Sequence, residues 1–171
     1  MHPSTTATPA WTCRRATVGD VPALVALRRA LFESMGYTDA RLLDGVAQAS
    51  ARYFAAAIPT GEFRAWVAEA GGRVLASGGL VIHAIPPTPQ ALAGREGYIM
   101  NLYTLPEWRR RGIARAIMQA ILEHLRAEGV SLASLHATEM GRPLYVELGF
   151  RPTNELRLVL EPHPAGARNN Q

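Results

Sequence analysis

Residues 98–114 read Tyr98-Ile99-Met100-Asn101-Leu102-Tyr103-Thr104-Leu105-Pro106-Glu107-Trp108-Arg109-Arg110-Arg111-Gly112-Ile113-Ala114, and they decide the fold. An apolar, strand-like run ends at Leu105. From about Arg111, apolar residues recur at helical spacing: Ile113, Ile117, Ile121 and Leu125. Three consecutive arginines occupy the junction. The first turn of a helix presents unpaired N–H donors and roughly half a positive elementary charge, so an acid or a hydroxyl cap normally belongs there. The nearest hydroxyl is Thr104, behind Pro106. Cations above uncapped donors, with a glycine for close backbone approach, make an anion site once a phosphate completes it. The same run taken alone also fits a solvated basic turn.

Read as Arg109-x-x-Gly112-x-Ala114 after a strand, the junction resembles the pyrophosphate-binding motif of the GNAT (Gcn5-related N-acetyltransferase) superfamily. Upstream, Leu102-Tyr103-Thr104-Leu105-Pro106-Glu107 resembles the end of that family's fourth strand. Downstream, Pro143-Leu144-Tyr145-Val146-Glu147-Leu148-Gly149-Phe150 resembles its second signature, a short helix that carries a Tyr and closes on Leu-Gly-Phe. The two motifs stand in the family's order, one helix and one strand apart. The resemblance implies the GNAT acyl-CoA N-acyltransferase fold, an α/β architecture with a mixed, mostly antiparallel sheet flanked by helices.

At 171 residues the chain has room for one domain with a sizeable core. The expected organisation is a flexible tail over residues 1–10, a single domain over 11–161 and a second flexible tail over 162–171. No apolar stretch approaches the roughly 18 to 20 residues of a membrane span. The N-terminal residues lack the charged and apolar regions of a signal peptide, so a cytoplasmic location is expected. The lone Cys13 permits no internal disulfide. All 18 basic residues are arginine, and the lack of lysine excludes a Walker-type P-loop, a pyridoxal-phosphate Schiff base and a lysine nucleophile. The net charge of +4 suits an anionic ligand. Only Arg109 to Arg111 is a true cluster, so an arginine-rich nucleic-acid-binding module is the weaker reading.

The rest of the chain fits the same order. Trp11 to Thr17 reads as an edge strand. Asp20 is placed to cap a first helix that carries Pro22 in its first turn, keeps its apolar Leu24, Leu27, Leu31 and Met35 at helical spacing, and ends at Gly36, with Arg28 and Arg29 off that face. Leu42 to Ala57 reads as a second helix. Phe63 to Ala70 and Val74 to Ala84 flank Gly71-Gly72 as a hairpin. A helix from about Arg111 to Glu128 stops at Gly129, Ser131 to Ala137 reads as a strand, a helix starts at Pro143, and Leu156 to Leu160 reads as a last strand. The predicted order is β-α-α-β-β-β-α-β-α-β-β.

Acetyl transfer from a thioester to an amine needs a grip on the CoA pyrophosphate, an oxyanion donor, a proton for the leaving thiolate and an uncharged acceptor nitrogen. The resemblance implies acetyl-CoA as co-substrate, without a metal. It assigns the grip to backbone N–H groups and side chains of Arg109, Arg110, Arg111, Gly112, Ile113, Ala114 and Arg115. A backbone N–H among Leu102, Tyr103 and Thr104 would polarise the acetyl carbonyl, and a fixed donor of this kind is worth roughly 3 kcal/mol. Tyr145 would protonate the leaving sulfur. Thr138 stands where the family often has an Asn against the pantetheine arm. Glu33, Tyr37 and Asn101 are the substrate-side residues. Relatives often carry a basic carboxylate at positions aligned here with Tyr98, Met100 or Asn101, and none of these is acidic. Glu33, Glu96, His83, His136 and Glu155 remain as candidate bases. The expected acceptor is a primary amine of a small molecule or peptide, reached by direct attack in a ternary complex. A catalytically degenerate acyl-CoA sensor is the alternative of the same fold. Exposed strand edges make a homodimer a further expectation.

Overall fold

A computed structural model describes residues 10–160. The tails expected over 1–10 and 162–171 fall, apart from Ala10, outside the described residues. Five strands form one sheet in the order β1-β2-β3-β4-β5. They are β1 (Thr12–Arg15), β2 (Arg64–Ala70), β3 (Arg73–Ala84), β4 (Arg95–Thr104) and β5 (Leu132–Leu135). The first four are antiparallel neighbours, while β5 joins β4 in parallel. Four helices flank the sheet: α1 (Val21–Ser34), α2 (Ala40–Thr60), α3 (Ile113–Ala127) and α4 (Arg142–Glu147).

Alternation along the strands divides the core in two. Trp66, Ala68, Ala76, Leu80 and Ile99 meet Ile113, Ile117, Met118, Ile121 and Leu125 of α3 on one face. On the other, Ala65 and Val67 meet Val21 and Leu24 of α1 and Phe54 and Ala57 of α2, with Met100 packed at the margin. The α3 stripe expected from the sequence is buried throughout, and each such side chain contributes about 2 kcal/mol by leaving water. The Gly71-Gly72 hairpin is also formed, as the link between β2 and β3.

Three expectations need correction. Asp20 precedes α1, but its side chain makes no capping bond to that helix. It accepts instead from the Thr17 backbone N–H at 2.7 Å and from both Nη atoms of Arg14 at 2.9 Å, tying β1 to the helix start. Helix α2 begins two residues early, capped by Asp39 Oδ1 on the N–H groups of Arg41 and Leu42, and runs three residues past Ala57. Pro59 withholds only one donor, and the Thr60 hydroxyl bonds the Ala57 carbonyl, so the turn survives until left-handed Gly61. The last strand, Leu156 to Leu160, is not formed. Residues 151–159 lie outside any helix or strand, and Leu156, Leu158 and Leu160 are exposed. Period-two alternation specifies a face, but a strand also needs a ladder partner, which this segment lacks among the described residues.

Candidate active site

The parallel ladder between β4 and β5 runs only from Glu96–Leu132 to Ile99–Leu135. Strand β4 continues to Thr104, still held by β3 through Met100–Gly79, Tyr103–Ser77 and Thr104–Ala76. Among the described residues, one edge of residues 100–104 therefore has no strand beside it, and the β4–β5 ladder ends in a fork. Asn101 stands at the opening with φ of 57°, an uncommon value for a non-glycine residue, opposite a bulge between Ser77 and Gly79. The Ser77 hydroxyl donates to the Asn101 carbonyl at 3.3 Å.

The open end of β4 leads into the arginine run. The Arg109 Nε donates to the Thr104 carbonyl at 3.1 Å, and its guanidinium lies 5.6 Å from the Tyr103 ring centre. Arg111 donates to the Glu107 carbonyl and covers the Trp108 ring at 4.7 Å. These contacts fold two of the three arginines back onto the turn. Arg110 is exposed, has φ of 62°, and has no protein partner among the described residues.

Gly112 is the N-cap residue of α3, left-handed at φ 78°, with no side-chain cap. A Cβ added there would meet nothing within 4 Å, so the space before the helix is open. Among the described residues no acceptor meets the N–H groups of Gly112, Ile113, Ala114 or Arg115. Four donors with open space before them and cations beside them can take a phosphate. Ile113 offers only its N–H, because its side chain is buried under the sheet. Arg115 is paired with Glu147, and this joins the first turn of α3 to α4.

That link brings Tyr145 beside the same region. Its ring is buried among the α3-side core residues and stands edge-on to Phe150 at 6.1 Å. Its hydroxyl oxygen has no protein partner among the described residues, yet it is not sealed from solvent. Burial pushes the phenol pKa up, so the proton is held at neutral pH and can be given to a stronger base. Thr138 shapes the entry to α4: its Oγ1 accepts from the Gly141 N–H and its carbonyl from Gly141 and Arg142. The hydroxyl proton remains available.

The acceptor-side candidates divide. Asn101 Oδ1 accepts from Arg28 Nη1, and Tyr37 stands edge-on to Phe32 at 5.6 Å, while Phe32 lies beneath the Arg28 guanidinium at 4.8 Å. Arg28, Phe32, Tyr37 and Asn101 thus form one group. Glu33 is outside it, exposed and bonded to Arg29 at 2.9 Å. The sequence places Arg28 off the apolar face of its helix, yet the residue is partly buried; its local sequence signal is Phe32, one turn later.

Of the candidate bases, Glu96 accepts from the Ser134 hydroxyl at 2.6 Å and lies 3.4 Å from His83, at the closed end of the ladder. His136 follows the last ladder pair directly, its Nδ1 2.6 Å from the Tyr98 hydroxyl, and Arg157 approaches its ring. Glu155 is exposed. Among the described residues no group of three or more His, Cys, Asp or Glu side chains could hold a metal ion. No helix there is long and apolar enough to cross a membrane.

Residues 26–150 match the acetyltransferase (GNAT) family, and the chain belongs to it. A GCN5-related N-acetyltransferase from Ralstonia eutropha JMP134 superposes with a TM-score of 0.81 at 34% identity, over 88% of this chain and 98% of that one. A predicted acetyltransferase with acetyl-CoA from Clostridium acetobutylicum gives 0.77 at 27% identity, over 87% and 95%. An aminoglycoside 2'-N-acetyltransferase of Mycolicibacterium fortuitum is 32% identical over 89 residues, half of this chain and 45% of that relative. The chain therefore matches less than half the length of this curated relative.

Proposed function

We propose that the chain is an acetyl-CoA-dependent N-acetyltransferase, acting on a primary amine by direct attack in a ternary complex. The observation that carries the reading is the fork between β4 and β5, which opens onto the uncapped N-terminus of α3 with the accessible Tyr145 hydroxyl alongside. The Clostridium relative, with acetyl-CoA, supports the choice of co-substrate. The Mycolicibacterium relative supports a small-molecule amine as acceptor.

In this reading the pyrophosphate sits before the N–H groups of residues 112–115, with Arg110 as the cation free to meet it. The pantetheine arm lies along the open edge of residues 100–104 and near Thr138. A backbone N–H among Leu102, Tyr103 and Thr104 polarises the thioester carbonyl. The amine nitrogen attacks the carbonyl carbon, the C–S bond breaks, and the sulfur takes the Tyr145 proton. The proton lost by the nitrogen returns through solvent to the phenolate, leaving an amide and CoA thiol. The working unit is the single domain expected over 11–161, in the cytoplasm where acetyl-CoA is made and used. The outer edge of β5, unpaired among the described residues, is where a second copy could associate.

The test is CoA-thiol release from acetyl-CoA against a panel of amines. Transfer to any amine, lost in Tyr145→Phe, supports the enzyme. Tight acetyl-CoA binding with no amine acetylated would favour the sensor, and DNA binding equal to CoA binding at physiological salt would favour the nucleic-acid module.

A further inference from the structure

Two neighbouring arginines on α1 have opposite surroundings. Arg29 bonds Glu33 at 2.9 Å and Asp44 at 2.6 Å. Arg28, more deeply set, meets no carboxylate among the described residues: it has the neutral amide oxygen of Asn101 and the face of Phe32, with the Tyr53 phenol nearby. Its Nε is closed from water and has no acceptor. Nη2 has no protein acceptor among the described residues either and, unlike Nε, is not sealed from solvent, so it is the atom at which an incoming carboxylate oxygen can accept.

An arginine does not relieve burial by losing its proton, so a cation without counter-charge remains a cost until an anion arrives. Burial pushes the Arg28 pKa down, as expected of a cation so placed. The position is specific. Arg28 touches the residue at which β4 bends at the mouth of the fork, on the sheet face that α1 and α2 cover.

We infer that Arg28 is the specificity-determining residue of the acceptor site and binds a carboxylate carried by the acceptor amine, so that the substrate is a free amino acid or a similar amino-carboxylate. The inference rests on the acetyltransferase reading for the amine, and on Arg28 alone for the carboxylate. A single guanidinium balances one carboxylate. A phosphate dianion calls for a second cation, and Arg29 beside it is already held by two acids. A polycationic aminoglycoside would face this unpaired positive charge, with Glu33 and Asp44 both engaged elsewhere. The aromatic wall of Phe32 and Tyr37 suits the apolar part of an amino acid.

The experiment is calorimetric titration of the full chain, saturated with CoA thiol, with the common L-amino acids and their matching carboxamides. At least one amino acid should bind about tenfold or more tighter than its amide, the scale of a lost charge-assisted pair. Arg28→Met should bring the two to parity, and Arg28→Lys should keep part of the preference, having the charge without the fork. Removing an uncompensated cation should not lower the melting temperature, so Arg28→Met is expected to fold; if it does not, the lysine variant carries the test. Equal affinities, no binding of any amino acid, or a preference that survives Arg28→Met would overturn the inference. CoA-thiol release on the same panel separates the two readings. Acids and amides acetylated alike would keep the acetyltransferase and remove the role of Arg28, whereas acids bound but never acetylated would do the reverse.

Discussion

The backbone of Gly141 lies against the ring of Tyr145: a Cβ at Gly141 would stand 2.8 Å from Cε2 and 3.0 Å from the hydroxyl oxygen. The absence of a side chain is what lets the phenol take its position one turn into α4. If Tyr145 protonates the leaving sulfur, Tyr145→Phe should lower kcat by roughly 10²-fold while leaving acetyl-CoA affinity nearly unchanged. Gly141→Ala, which forces the ring to shift without removing the hydroxyl, should lower kcat by a smaller factor. Steady-state kinetics with calorimetry decide this, and Tyr145→Phe activity within twofold of wild type would make the tyrosine a packing residue.

Gly112 tests the anion cradle. Its φ of 78° makes any side chain strained by about 1 kcal/mol, although the space around it is open. Gly112→Ala should therefore cost a little stability and keep most acetyl-CoA binding. Gly112→Glu adds bulk and negative charge before the donors, and should abolish the rise in melting temperature that acetyl-CoA gives the wild type. Wild-type affinity in Gly112→Glu would show that the donors of residues 112–115 do not meet the pyrophosphate.

The start of α1 should give an acid limb to stability. The Arg14 guanidinium, bonded to both carboxylate oxygens, and the Thr17 N–H hold the Asp20 carboxyl at about 2, against the opposing effect of burial. An ordinary aspartate titrates near 4. The sign follows from a folded value below the unfolded one: the stabilisation is complete above about pH 4 and is lost as pH falls through about 2. It is worth at most about 2 kcal/mol, and less because Arg14 is 39% exposed at its side chain. Denaturant melts of wild type and Asp20→Asn should differ at neutral pH and converge in acid; a gap constant with pH would refute the linkage.

The acceptor nitrogen must lose a proton before attack. An alkylammonium titrates near 10, so about one molecule in a thousand is neutral at pH 7. Met100 and Asn101 offer no carboxylate at the fork, and Glu33 is engaged by Arg29. For an alkylamine acceptor, log kcat/KM should accordingly climb with a slope near one from about pH 6 to about 9. A plateau beginning well below the amine's own pKa and abolished in His136→Gln would instead assign proton removal to the His136–Tyr98 pair.

How much of this could be read beforehand depended on the range of the interaction. The strand–turn–helix at 98–114 and the α3 stripe are local patterns, and both are present, although β4 starts three residues earlier, at Arg95, and α3 at Ile113. The fork could not be read from pattern, because it is set by where the β4–β5 ladder stops, and Met100 to Thr104 look like any central strand in sequence. Arg28 was missed because its burial comes from Asn101 and Phe32, one of them 73 residues away. Asp20 occupied the expected position but found a stronger partner in Arg14. Leu156 to Leu160 had the right alternation and, among the described residues, no neighbour to pair with.

The unpaired edge of residues 100–104 gives the molecule a built-in reporter. A pantetheine arm lying there would stand in for the missing strand, shielding main-chain amides that otherwise face solvent. Hydrogen–deuterium exchange at those amides should then slow with acetyl-CoA, while the ladder from Glu96 to Ile99 changes little. Occupancy could thus be followed in the backbone itself, without a labelled ligand and before any acceptor is known.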